Sequence, residues 1–135
     1  MNHIPAWLRR LVLRRSGGRC EYCKLAQVGQ EATFHIDHVK PLSLGGETAA
    51  DNLALACVSC SLRKGPREEV VDPETGDKVS VFNPRSEIWN EHFRWEALRL
   101  IGITATGRAT IHLLDLNRPL ILAIRLEEAA LGRHP

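Results

Sequence analysis

A chain of 135 residues, 44% hydrophobic and 25% charged, has the balance of an ordinary water-soluble fold, and its length suits one domain better than two independent cores. Its most apolar stretch, 111–126, is interrupted by Asp115, Arg118 and Arg125, which argues against a membrane span. The formal charge of +2 hides an asymmetry: residues 1–67 carry ten Lys/Arg and five Asp/Glu, residues 68–135 eight and eleven. That asymmetry fits a basic surface for an anion, although chance explains it equally well on charge alone.

The opening MNHIPAWLRRLVLRR lacks an apolar run followed by a small-residue cleavage site, so no signal peptide is expected and the cytoplasm is the expected compartment. Residues 5–15 read as a helix with Trp7, Leu8, Leu11 and Val12 at helical spacing, stopped by Gly17-Gly18. Residues 20–23 form a knuckle-type turn and 24–32 a loop. Residues 34–39 suit a short strand, 42–51 a turn-rich loop around Gly45-Gly46, 53–56 a second strand, and 59–64 a helix ended by Gly65-Pro66. Further on we expect a hairpin at 69–82 turning at 73–76, a helical turn at 88–93, and one strand at 95–104. A helix to Leu114 capped by Thr106, and a last helix to Leu131 capped by Asn117, complete the chain.

The four cysteines occur as Cys20-x-x-Cys23 and Cys57-x-x-Cys60. Two tight turns, each giving two thiolates, suit a closed tetrahedral zinc site, which is structural because no coordination position stays open. Two redox pairs, or four free thiols, are the competing readings. Zinc would clip the start of the intervening segment to its end.

That segment contains HIDHVKPLSLGGETAADNLALACVSCSLRKG. A neutral imidazole can take a proton from water at neutral pH. A neighbouring carboxylate can hold a divalent cation that stabilises the crowded phosphate and the leaving 3′ oxygen. Asp37 and His38 are such neighbours. On a regular strand they point to opposite faces, so a bend or bulge is needed to bring both to one site. Taken alone, His38 could be a structural histidine, Asp37 a turn carboxylate and Asn52 a loop cap. His35, two residues before Asp37, is either a further metal ligand or phosphate contact, or a half-buried strand residue.

The order Asp37-His38, Pro41, Gly45-Gly46, Asn52-Leu53 and a closing Cys-x-x-Cys resembles the HNH endonuclease family, over residues 19–66, about a third of the chain. The downstream pieces VFNPR, WNEHFRW and GRAT are similar to a bacterial, four-cysteine branch of it. The resemblance implies an α+β fold: a ββα-metal core at 19–66 with a structural four-cysteine zinc site, an N-terminal helix, and a hairpin/helix extension at 68–135, all in a single domain 1–135. It implies His38 as general base, Asp37 as metal ligand, and Asn52 as the residue that braces the loop and orients the base. Where the family places a second, helix-borne Asn or His ligand, this chain has Ser61. Three outcomes are open: Ser61 ligates directly or through water, His35 takes over, or activity is weakened. A set of Asp37, Ser61 and water favours Mg²⁺ or Mn²⁺ at this second site.

Arg19, Lys40, Arg63, Lys64 and Arg67 flank the segment and are candidates for contacts to the phosphates of double-stranded DNA, with Lys64 the foremost. With no base-reading element in evidence, weak sequence preference is expected. The aromatic residues Trp89, Phe93 and Trp95 are expected in a core rather than as a base-stacking platform. The leading expectation is a metal-dependent DNA endonuclease. The alternatives are a zinc-stabilised nucleic-acid-binding module without cleavage, and a zinc protein that binds another protein.

Overall fold

Helix α1 (Ala6–Ser16) lies near the start of the described residues, 3–135, of the computed structural model. Leu8 and Val12, one turn apart, give it a buried stripe. Trp7, expected to share that stripe, is exposed, because it sits about 100° further round the helix from Leu8. Gly17 ends the helix in the left-handed region at φ 65°, and its N–H bonds the Arg14 carbonyl. Arg15 ties α1 inward by donating to the carbonyls of Ala50 (2.7 Å) and Leu53 (2.5 Å).

Strand β1 (His35–His38) pairs antiparallel with β2 (Leu53–Ala56), with His35 opposite Ala56 and His38 opposite Leu53. All four residues of β2 are buried, as expected for a strand covered on both faces. Helix α2 (Val58–Lys64) follows directly, its first turn capped by Cys57, whose sulfur accepts the Cys60 N–H at 3.4 Å. The first knuckle is sewn to β2 by Glu21. Its N–H donates to the Leu55 carbonyl and its Oε2 accepts the Leu55 N–H, both at 2.8 Å. These elements form one compact unit, which ends at Glu68.

A second unit spans Glu69–Pro135. The expected hairpin is present as β3 (Glu69–Val71) and β4 (Lys78–Ser80). The single strand expected at 95–104 is instead a second hairpin, β5 (Phe93–Glu96) and β6 (Arg99–Gly102). Its two-residue turn puts Ala97 at φ 53°, a position where glycine is the usual signal, so the sequence hides the reversal. Helix α3 (Ala105–Leu114) is capped by Thr104, not Thr106: the Thr104 hydroxyl accepts the Gly107 N–H at 3.0 Å. Helix α4 (Pro119–Ala130) starts on Pro119 with no side-chain cap. Asn117, expected to cap it, instead bonds both backbone groups of Leu100, at 2.8 Å each. Phe82, Phe93, Leu100, Leu114, Leu116 and Ile121 form this unit's core, and Trp89 and Trp95 pack at its margin, 5.7 Å apart between centroids. Among the described residues no helix is long and apolar enough to cross a membrane.

Candidate active site and thiolate centre

The sulfur atoms of Cys20, Cys23, Cys57 and Cys60 all lie within 4.8 Å of one another, and all four residues are buried. Cys23 and Cys57 are 3.8 Å apart. Four thiolates about 2.3 Å from a tetrahedral zinc are separated by about 3.8 Å, so the cluster fits that ion. Two N–H groups already point at sulfur, Cys23 at Cys20 (3.5 Å) and Cys60 at Cys57 (3.4 Å). Hydrogen bonding with Cys20 holds the Cys57 thiol far below its ordinary range, while the same neighbour pushes Cys23 and Cys60 up. Four negative sulfurs cannot share this volume unless a cation offsets their repulsion.

An open groove of about 790 Å³ runs beside β1. His35, Asp37, His38, Pro41, Ser61, Gly65 and Arg9 are among its lining residues. Asp37 and His38 therefore reach one groove, but no bulge separates them. The ladder is regular through His38, and the chain bends immediately afterwards, at Val39–Lys40. The irregularity thus lies at the end of the strand, where the Val39 N–H still reaches the Asn52 carbonyl at 2.9 Å.

Asp37 is 10% exposed, and its Oδ2 accepts from the Tyr22 hydroxyl at 2.8 Å and lies 3.2 Å from the Lys64 ammonium. Burial raises its pKa, an effect opposed by Lys64 and by the Tyr22 hydrogen bond. Burial likewise raises the Tyr22 phenol well above its ordinary value, so Tyr22 stays a neutral donor. The His38 imidazole is pushed down by burial, against the pull of Asp37, which favours the neutral ring. Its Nε2 is 2.9 Å from the Thr48 hydroxyl. His35 Nδ1 is 3.0 Å from the Ser61 hydroxyl, which joins the strand to the helix at the groove.

Asn52 braces the loop through backbone groups. Its Oδ1 accepts the Lys40 N–H at 2.8 Å, and its Nδ2 donates to the carbonyls of Lys40 (3.0 Å) and Glu47 (2.8 Å). Gly46 is required beside it, because a Cβ there would meet the Lys40 carbonyl. These side-chain bonds of Asn52 all go to the loop backbone and none to the His38 ring.

The five cations expected at phosphates divide. Lys40, Arg63 and Arg67 are exposed. Arg19 is half-buried and donates to the Lys24 carbonyl at 2.7 Å, which closes the first knuckle turn. Lys64 is only 2% exposed and also donates to the His38 carbonyl at 3.1 Å. It stands one turn after Cys60, on that residue's inward face, rather than on the open side of α2. Neither Tyr22 nor Thr48 stands out in the sequence as a site residue. The usable signal for Tyr22 is its place inside the first Cys-x-x-Cys, where a buried hydroxyl needs an acceptor. Thr48 has only its place after the Gly-Gly turn.

Residues 20–67 match the family model described as HNH endonuclease. No curated protein and no solved structure matches the chain. The matched segment begins at the first cysteine of the thiolate cluster and includes Asp37, His38, Asn52 and α2.

Proposed function

We propose that the chain is a metal-dependent endonuclease that hydrolyses phosphodiester bonds of double-stranded DNA with weak sequence preference. The observation that carries this reading is the convergence of Asp37 and His38 on one groove, within a segment matching the HNH endonuclease model. Thr48 anchors the ring of the base through Nε2, 2.9 Å from its hydroxyl, and in the tautomer whose Nε2–H donates to that hydroxyl, Nδ1 carries the lone pair that takes the proton of an attacking water. The donor set at the groove is a carboxylate (Asp37), a hydroxyl (Ser61) and an imidazole (His35), which fits a hard divalent cation completed by water. Mg²⁺ or Mn²⁺ bound there would offset phosphate charge and stabilise the leaving 3′ oxygen. Asp37, Ser61 and His35 would hold and orient that cation. Lys64 supplies a fixed positive charge behind Asp37. Lys40, Arg63 and Arg67 hold the strand through phosphates, which carry no sequence information.

Plasmid nicking in Mg²⁺ or Mn²⁺ tests the assignment. His38→Ala is expected to lose about 100-fold or more in rate, as removal of a general base does, while DNA binding is retained. Unchanged nicking in that variant removes His38 as the base.

One observation favours a second reading. Asp37 Oδ2 is already paired with Lys64, and Ser61 with His35, so one carboxylate oxygen, the hydroxyl and an imidazole nitrogen of the groove have partners without a metal. This suits a zinc-stabilised nucleic-acid-binding module. Salt-dependent DNA binding by a protein that nicks no plasmid in either metal selects it.

A further inference from the structure

We propose that Tyr22 is a positioning residue that couples the thiolate centre to the reactive carboxylate, holding Asp37 by Oδ2 so that Oδ1 is the oxygen offered to a divalent cation. The proposal rests on the reading of Asp37 as a metal ligand.

Both donors to Asp37 meet the same oxygen. The Tyr22 hydroxyl reaches Oδ2 at 2.8 Å and the Lys64 ammonium reaches it at 3.2 Å, while Oδ1 has no partner among the described residues. A carboxylate on a strand can rotate about its side-chain bonds even when its backbone is fixed. Two donors on one oxygen remove that freedom and leave the other oxygen's lone pairs unspent. Hydrogen bonds of this kind, made to the back of a ligating carboxylate, orient it toward its metal.

Each donor belongs to one cysteine pair. Tyr22 lies between Cys20 and Cys23, and the backbone of that turn is fixed by Glu21 to Leu55. Lys64 closes α2, the helix whose first turn holds Cys57 and Cys60. Both are fully or almost fully buried, so neither can swing away to solvent. A cation that draws the four sulfurs together therefore fixes the two donors that hold Asp37. The thiolate centre sets the geometry of the groove as well as the stability of the unit.

Tyr22 is the only tyrosine of the chain, so selective ¹³C-tyrosine labelling of the zinc-loaded protein gives one Cζ resonance. Addition of Mg²⁺ is expected to shift that resonance saturably in the native protein and not in Asp37→Asn. In parallel, Tyr22→Phe is expected to keep its zinc and to stay folded with a melting temperature several degrees lower, yet to bind Mn²⁺ about tenfold more weakly by electron paramagnetic resonance below that transition. Two results overturn the proposal: a Tyr22→Phe protein that keeps zinc and native Mn²⁺ affinity, or a native Cζ resonance indifferent to Mg²⁺ while Mn²⁺ binding depends on Asp37. If Tyr22→Phe loses zinc, the native resonance decides alone. An Asp37→Asn protein that binds Mn²⁺ as tightly as the native one overturns the underlying ligand assignment instead.

Discussion

Asn52 pairs with Lys40 as a neighbouring strand would: its side-chain amide accepts from the Lys40 N–H at 2.8 Å and donates to the Lys40 carbonyl at 3.0 Å. One side chain thereby continues the β1–β2 ladder past its last backbone pair and holds the bend that follows His38. Asn52→Ala should cost about 1–2 kcal/mol, because three modest hydrogen bonds at a half-open site are lost. Asn52→Asp keeps the accepting oxygen but turns its second carboxylate oxygen toward the carbonyls of Lys40 and Glu47, so its urea midpoint should be no higher than that of Asn52→Ala. A midpoint near the native one would mean that the accepted bond alone carries the brace.

Gly46 tests the same loop from the other side. A methyl group there meets the Lys40 carbonyl and lies 2.9 Å from Asn52 Nδ2, so backbone must move to admit it. Gly46→Ala is expected to destabilise by about 1–3 kcal/mol, the range for overpacking. Thermal melts check this, and a variant as stable as the native protein would mean that the loop yields freely.

Thr48 bonds His38 at 2.9 Å. Thr48→Val keeps the shape and removes the hydroxyl. One net hydrogen bond is worth about 1 kcal/mol, so losing this one should slow plasmid nicking by about five- to tenfold and lower the melting temperature by only a few degrees, leaving the protein folded at the assay temperature. Native nicking in Thr48→Val would free the base from dependence on this contact.

Much of the first unit is legible in the sequence because its signals are local and chemical. The strand expected at 53–56 has those bounds in the structure, and the cysteine spacing places four sulfurs together. Lys64 is harder to place, because a one-turn relation to Ser61 is also near a one-turn relation to Cys60, and only packing chooses between the two faces of α2. The second unit hides more. Its β5–β6 turn uses Ala97 where glycine would have announced it, and Asn117 is drawn to Leu100 by a tertiary contact that outweighs its local capping preference. The relation of Tyr22 to Asp37 spans 15 positions and follows from no local period.

Removal of any cation held by the four cysteines is the broadest perturbation available. Four thiolates at this spacing repel unless a cation offsets their charge, and the knuckle, α2 and both donors to Asp37 depend on the approach of the sulfurs. A strong chelator should abolish amide protection across residues 3–68, read by hydrogen exchange with mass spectrometry, and added Zn²⁺ should restore it. Full protection after complete removal of the metal would mean that the four cysteines pack adequately as thiols.

Asp72 provides the pH test, away from any metal ligand. Its carboxylate is fully buried and accepts from Arg108 Nε (3.2 Å) and Nη2 (2.9 Å), the Thr75 hydroxyl (2.8 Å) and the Glu74 N–H (3.2 Å). The Arg108 guanidinium is the main cause that holds its pKa well below the usual carboxylate range. A folded-state value below the unfolded one means that the charged form is favoured by folding. The stabilisation is therefore complete above the unfolded value, about 3.9, and is lost as pH falls toward the folded value. Asp72→Asn cannot titrate. The gap in urea midpoint between the native protein and Asp72→Asn should be widest at about pH 5 and should narrow steadily as the pH is lowered below about 4. A gap that stays constant across that range would mean that the Asp72–Arg108 contact stabilises through packing and hydrogen-bond geometry rather than through charge.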